Sequence, residues 1–137
     1  QSSRVQAVVD FFGPSDFLQM EAHKLTPNAM GHDAATSPES RLVGGAIQEN
    51  KDKVAKANPL TYLTPDDPPF LIVHGEQDPL VPFHQSELMY EALKKAGRDV
   101  TFYKIAGAGH GGAAFYNDLT KAMVLAFLDR NLKPAPR

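Results

Sequence analysis

Three apolar runs divide the chain, and each gives way to glycine- or proline-rich polar sequence. The first, Val5 to Phe12 (VQAVVDFF), is β-branched and aromatic, lacks a helical period and stops at Gly13-Pro14. It is expected to be a strand buried on both faces, as in a parallel sheet. The second, Phe70 to His74 (FLIVH), is introduced by the proline-stiffened Thr64-Pro-Asp-Asp-Pro-Pro69, and the third, Val100 to Ile105 (VTFYKI), runs into the glycine-rich AGAGHGG. Between these two, Pro82 opens a stretch ending at Gly97 in which Leu88, Ala92, Leu93 and Ala96 follow the 3.6-residue period of a helix. A last helix is expected with Leu119, Met123, Ala126 and Phe127 inward, fading at Leu132-Lys133-Pro134.

The shorter elements follow from caps and breakers. Ser15 is expected to cap a short helix through Phe17, Leu18 and Met20. Residues 23–37 carry turn formers and no periodicity, so a loop is expected there. Ser37-Pro38-Glu39 sets an N-cap, a first-turn proline and an acid near the positive end of a helix dipole. That helix would present Leu42, Val43, Ala46 and Ile47 on one face. Asn50 is expected to cap a further turn or two through Val54 and Ala57, ended by Asn58-Pro59. The order of strand, helices, strand, helix, strand, helix gives parallel strands with right-handed crossovers, hence an α/β architecture. Residues 134–137 read as a loose tail.

Composition narrows the class. The 137 residues make one domain or a piece of a larger one, with 42% apolar residues, 22% charged residues and a net charge of −2. No basic excess points to nucleic acid, and no acidic block points to a disordered tail. The absence of cysteine excludes disulfides and thiolate metal sites and leaves the compartment open. No apolar run approaches the roughly 18 residues of a spanning helix. The chain starts at Gln1 without a signal-like segment, so it reads as a processed or truncated product.

In open parallel sheets, chemistry gathers at the carboxyl ends of the strands. Two strand ends here carry HGEQD and GAGHGG, which place Asp78 just past the second strand and His110 just past the third. Acyl transfer from an ester needs an imidazole to take the proton of a hydroxyl nucleophile, and a carboxylate to orient that imidazole. Parallel neighbours lie about 4.8 Å apart, so loops from their same ends can bring the two side chains within hydrogen-bond reach. Either residue alone reads as an ordinary loop residue. On adjacent strand ends, in acid-then-histidine order, they read as a catalytic pair.

These segments resemble a known family. FLIVHGEQDPLVP, QSELMYEALKKAG and VTFYKIAGAGHGG are similar to the C-terminal part of α/β-hydrolase-fold esterases. The likeness is to the group around bacterial feruloyl and acetyl-xylan esterases and hormone-sensitive-lipase-like carboxylesterases. VQAVVDFFGPSDFL, SPESRLVGGAIQEN and ANPLTYLTPDDPPF extend it over nearly the whole chain. The resemblance implies the C-terminal half of an α/β-hydrolase fold, with three parallel strands and flanking helices. It implies Asp78 as triad acid, His110 as triad base, a small-molecule ester as substrate, and neither cofactor nor metal. In that family the serine lies earlier, in a G-x-S-x-G elbow. This chain has no such elbow and no HGGG-type oxyanion loop; its serines are Ser2, Ser3, Ser15, Ser37, Ser40 and Ser86. Ser15 follows a strand, but its glycine spacing is wrong, so it is read as structural. The chain is then expected to begin at the sixth of usually eight strands and to hydrolyse little ester alone. Strand 5–12 would pair with another copy or with the missing N-terminal half. A prolyl-oligopeptidase-type peptidase and a non-catalytic α/β-hydrolase-like binding module remain as alternatives.

The remaining candidates carry less. His74 ends the second strand and could touch the site, although a hydrogen-bonded core histidine is the plainer reading; Glu76 reads as a spare carboxylate secondary to Asp78, and His84 as exposed. His23 and His32, with Asp33 nearby, lack metal-ligand spacing and read as solvated. Residues 1–14 form strand and turn, and residues 63–133 bear the acid and the histidine. Residues 15–62 lie where a lid or cap inserts in the family. Phe17, Leu18, Met20 and Leu25 could line an acyl pocket there, although simple packing is the plainer reading.

Overall fold

A run of four apolar residues leaves a strand no solvent face. Phe70–Gly75 (β2) accordingly occupies the middle of the sheet in the computed structural model, which describes residues 2–133. β1 (Val8–Phe11) and β3 (Val100–Ile105) flank it, both parallel to it, with Val8 and Val100 each opposite Phe70. The α/β class and the three parallel strands are as expected. β1 departs from expectation: it has four residues, all only half-buried. Among the described residues it pairs with β2 alone, so it is a sheet edge, as the expected pairing of strand 5–12 with further polypeptide requires.

Alternation along β2 builds two apolar layers. Leu71 and Val73 join Ala108, Phe115 and Phe127 on one side, the last of these from α4 (Asp118–Leu132). Ile72 joins Met89 and Leu93 of α3 (His84–Lys95) on the other. A third cluster of Phe17, Met20, Ile47 and Val54 gives residues 15–62 a small core of their own. That segment includes α1 (Pro38–Val43) and α2 (Lys51–Ala57).

Several expected caps and faces move. Asp16, not Ser15, caps the turn at Phe17–Gln19, accepting from the Leu18 N–H at 3.1 Å. Ser37 caps α1 as expected, accepting from the Ser40 N–H at 3.1 Å. Asn50 precedes α2, but its side chain turns back and donates to the Ala46 carbonyl at 2.9 Å. Leu42 is 70% exposed, because a six-residue helix is too short to sustain a stripe. On α3 the buried positions are Gln85, Ser86, Met89 and Leu93; of the expected set only Leu93 is fully buried, while Leu88, Ala92 and Ala96 are half-buried. On α4, Thr120 and Phe127 are buried with Val124 and Leu128 beside them, whereas Leu119 and Ala126 face out. Apolar residues lie nearly all round this helix, so period alone could not choose the face. The expected tail at 134–137 lies outside the described residues. No described helix is long and apolar enough to cross a membrane.

Candidate active site

The two strand ends are laced together by backbone. The Glu76 N–H donates to the Ile105 carbonyl at 3.1 Å and the Gln77 N–H to the Ala108 carbonyl at 2.9 Å. Gly75 makes this possible: a Cβ there would overlap the carbonyl oxygens of both Ala108 and Gly109. Beyond them, Gly111 and Gly112 take φ of 77° and 83°, which lets the chain double back past His110.

The result is direct contact between the two residues singled out above. The His110 Nδ1–H donates to Asp78 Oδ2 at 2.8 Å. Asp78 is 1% exposed, whereas the His110 side chain is 29% exposed. Asp78 Oδ1 accepts from the backbone N–H groups of Leu80 at 2.8 Å and Val81 at 2.9 Å. Burial pushes the Asp78 carboxyl up, but the hydrogen bonds from His74, Val81, Leu80 and His110 outweigh it and hold it below the usual carboxylate range. The acid therefore stays ionised at neutral pH. With His110 Nδ1 engaged, Nε2 is the nitrogen left to exchange a proton.

Two neighbours join this site, one that sequence reasoning held as its second reading and one that it missed. His74 is the buried, hydrogen-bonded histidine expected, yet its Nε2 reaches Asp78 Oδ2 at 3.1 Å and its Nδ1 lies 2.7 Å from Ser86 Oγ. A histidine next to the motif was visible in the sequence, but its serine partner on α3 was not. Phe12 has φ of 49°, a left-handed conformation rare for a bulky side chain, and its ring centroid sits 4.1 Å from that of His110. Nothing in the sequence signals that strain.

Asp10 on β1 is half-buried and accepts from the Gly13 N–H at 2.9 Å. Burial raises its carboxyl above the ordinary value, against the opposing pull of the Gly13 N–H and of His74. A raised acid favours folding below its unfolded value, near pH 4, and loses that benefit as pH rises through the folded value. Asp10→Asn is therefore expected to raise the melting temperature at pH 7, with the difference shrinking below about pH 4. Thermal melts across pH check this.

The other candidates scatter. His32 is buried, not solvated: its Nδ1 pairs with Glu39 Oε1 at 3.1 Å, and its backbone N–H donates to Glu21 Oε2 at 2.7 Å. The Glu39 carboxyl group, as partner of the ring, makes that burial tolerable. His23 is exposed and stacks on His84, with centroids 3.6 Å apart. His84 is half-buried, not exposed, and burial followed by the His23 charge pushes its imidazole down. Glu76 is exposed, and no group of three His, Asp or Glu side chains among the described residues could hold a metal. Phe17 and Met20 are packed in their own cluster, and Leu25 is exposed. The serines Ser15, Ser37, Ser40 and Ser86 are buried, each with a hydrogen-bond partner: Gln85, the Ser40 N–H, the Ile47 N–H and His74 respectively.

Comparison with known proteins shows the family to which the chain belongs. The family profile described as BD-FAE matches residues 1–93, a span that takes in Asp78 and stops short of His110. The probable carboxylic ester hydrolase LipM of Mycobacterium tuberculosis is 30% identical over 101 residues, covering 74% of this chain and 22% of its own. A bifunctional GH43-CE protein of Bacteroides eggerthii superposes with a TM-score of 0.82 at 38% identity, over 96% of this chain and 17% of that one. A truncated form of a carbohydrate esterase from gut microbiota superposes with a TM-score of 0.81 at 33% identity, over 97% and 45% of the two chains. The chain thus spans less than half the length of each of these proteins.

Proposed function

The chain belongs to the BD-FAE family, and from its acid–imidazole pair we propose that the protein containing these residues hydrolyses carboxylic esters through an acyl-enzyme. The observation that carries this reading is the hydrogen bond from His110 Nδ1 to the buried, ionised Asp78. His110 Nε2 takes the proton of the nucleophilic hydroxyl as its oxygen bonds to the ester carbonyl carbon. His110 then returns the proton to the departing alcohol. In the second half it takes a proton from water as the water oxygen bonds to the acyl carbon, and gives that proton to the enzyme's oxygen as its bond to the acyl group breaks. Asp78 holds the ring and stabilises the imidazolium without taking the proton.

Serine and oxyanion donors come, in this proposal, from polypeptide outside the 137 residues. Support lies in the lack of a G-x-S-x-G segment and in the engagement of the four buried serines elsewhere. The same polypeptide would cover the β1 edge and the adjacent face of α4. There Tyr116, Leu119 and Leu125 are exposed beside an apolar cleft lined by Phe11, Phe115 and Val124. Residues 15–62 serve as a cap, supported by their separate apolar cluster and by the Met30 N–H, which donates to the Pro79 carbonyl at 3.2 Å next to Asp78. The names of the relatives favour esters over peptides, and that of the gut carbohydrate esterase favours acylated sugars among them.

The intact protein is expected to turn over short aryl esters and to leave dipeptide amides uncleaved. The 137-residue chain alone is expected to hydrolyse the same esters no faster than buffer. Preferential amide cleavage by the intact protein would overturn the ester reading. Ordinary esterase turnover by the chain alone, on the order of 1 per second or above, would overturn the location of the nucleophile.

A further inference from the structure

We propose that His74, held in place by Ser86, is a positioning residue that fixes the Asp78 carboxylate in the orientation His110 requires. The proposal rests on the reading of Asp78 and His110 as acid and base. Asp78 Oδ2 is shared, lying 2.8 Å from His110 Nδ1 and 3.1 Å from His74 Nε2. His74 is fully buried, and its Nε2 also lies 3.1 Å from the Val81 carbonyl oxygen. An ionised carboxylate and a carbonyl can only accept, so His74 Nε2 carries the hydrogen and donates to both. Ser86, buried in the first turn of α3, has its hydroxyl 2.7 Å from Nδ1, and in the proposed tautomer donates to it. Both ring nitrogens are satisfied in one neutral tautomer. A buried polar ring costs stability unless it is paired, and here the pairing partner of Nε2 is the oxygen that His110 contacts.

The arrangement has two consequences for His110. First, the carboxylate cannot rotate: Oδ1 is held by the Leu80 and Val81 N–H groups and Oδ2 by His74. Second, the His74 N–H disperses part of the negative charge on the very oxygen that His110 contacts, which tempers the pull on the His110 proton. The carboxylates facing His74 are Asp78 and, across the sheet on β1, Asp10; the rings of Phe12 and Phe83 flank it. His110 faces Asp78 and the Phe12 ring.

Imidazole nitrogen NMR on the 15N-labelled 137-residue chain tests this. The wild-type spectrum is expected to show His74 as the neutral Nε2–H tautomer at pH 7. His74→Leu is expected to move the titration of His110 upward by about half a pH unit, because the charge returns to the oxygen beside it. His74→Gln, whose amide nitrogen can take the place of Nε2, is expected to restore much of the wild-type value. Finding His74 as imidazolium or as the Nδ1–H tautomer overturns the proposal without any variant, so it stays open to refutation even if His74→Leu fails to fold. So does an unmoved His110 in folded His74→Leu, provided that Asp78→Asn lowers the His110 value. If Asp78→Asn leaves His110 unmoved, the acid–base reading itself fails, and the positioning role fails with it.

Discussion

Replacing His110 with glutamine in the intact protein is expected to lower kcat for a short aryl ester by about 10⁴-fold or more, with KM little changed. Glutamine has no group that takes and returns a proton near neutral pH, and neither His110 nor Asp78 contributes much to binding the ground-state ester. Asp78→Asn is expected to cost about 10⁴-fold as well, for a different reason. An asparagine offers an N–H where four donors now converge, so it can no longer keep the His110 hydrogen on Nδ1. Since the two residues act on one proton, the double variant is expected to cost little more than His110→Gln alone. Steady-state kinetics on the four proteins, with circular dichroism to establish that each is folded, gives the comparison. Losses of less than tenfold for both single variants would contradict the assigned roles.

The largest structural effect is expected at Gly75. Alanine there must displace the backbone carbonyls of Ala108 and Gly109, and backbone yields less readily than the end of a side chain. Gly75→Ala is expected to destabilise the chain by about 2 kcal/mol or more, as for other cases of overpacking. Thermal melting would then fall by about 6 °C or more. The same displacement parts the loops that carry Asp78 and His110, so their coupling should weaken even in the folded fraction. An unchanged melting temperature would mean that the loops have slack, and that the approach seen between them is not needed to bring acid and base together.

What the sequence made legible, and what it hid, follows from the range of the interactions involved. β2 was readable because a buried parallel strand leaves a local signature, an unbroken apolar run with glycine behind it, and β3 because its β-branched and aromatic residues run into a glycine-rich segment. Asp78 and His110 were readable because parallel topology turns chain order into spatial neighbourhood: residues just past the ends of adjacent strands share a rim. His74–Ser86 joins a strand to a helix, and His32–Glu39 joins a loop to a helix, so neither pair follows from topology in that way. Each histidine had therefore to be weighed alone, and His32 was misjudged as solvated. The inward face of α4 was misread because Leu119, Leu125 and Ala126 make its outer side apolar too. That excess is intelligible if the outer side is itself covered in the intact protein. Phe12 illustrates the limit most plainly, since a positive φ at a phenylalanine is imposed by its surroundings and has no local code.

The central claim is that Asp78 and His110 serve a hydroxyl carried by polypeptide beyond these 137 residues. Treating the intact protein with a fluorophosphonate and locating the adduct by peptide mass spectrometry tests it most directly. The account predicts a single modified serine outside the 137 residues, with labelling abolished by His110→Gln. An adduct on Ser15 or on any other serine of this chain, or labelling that is indifferent to His110, would contradict it.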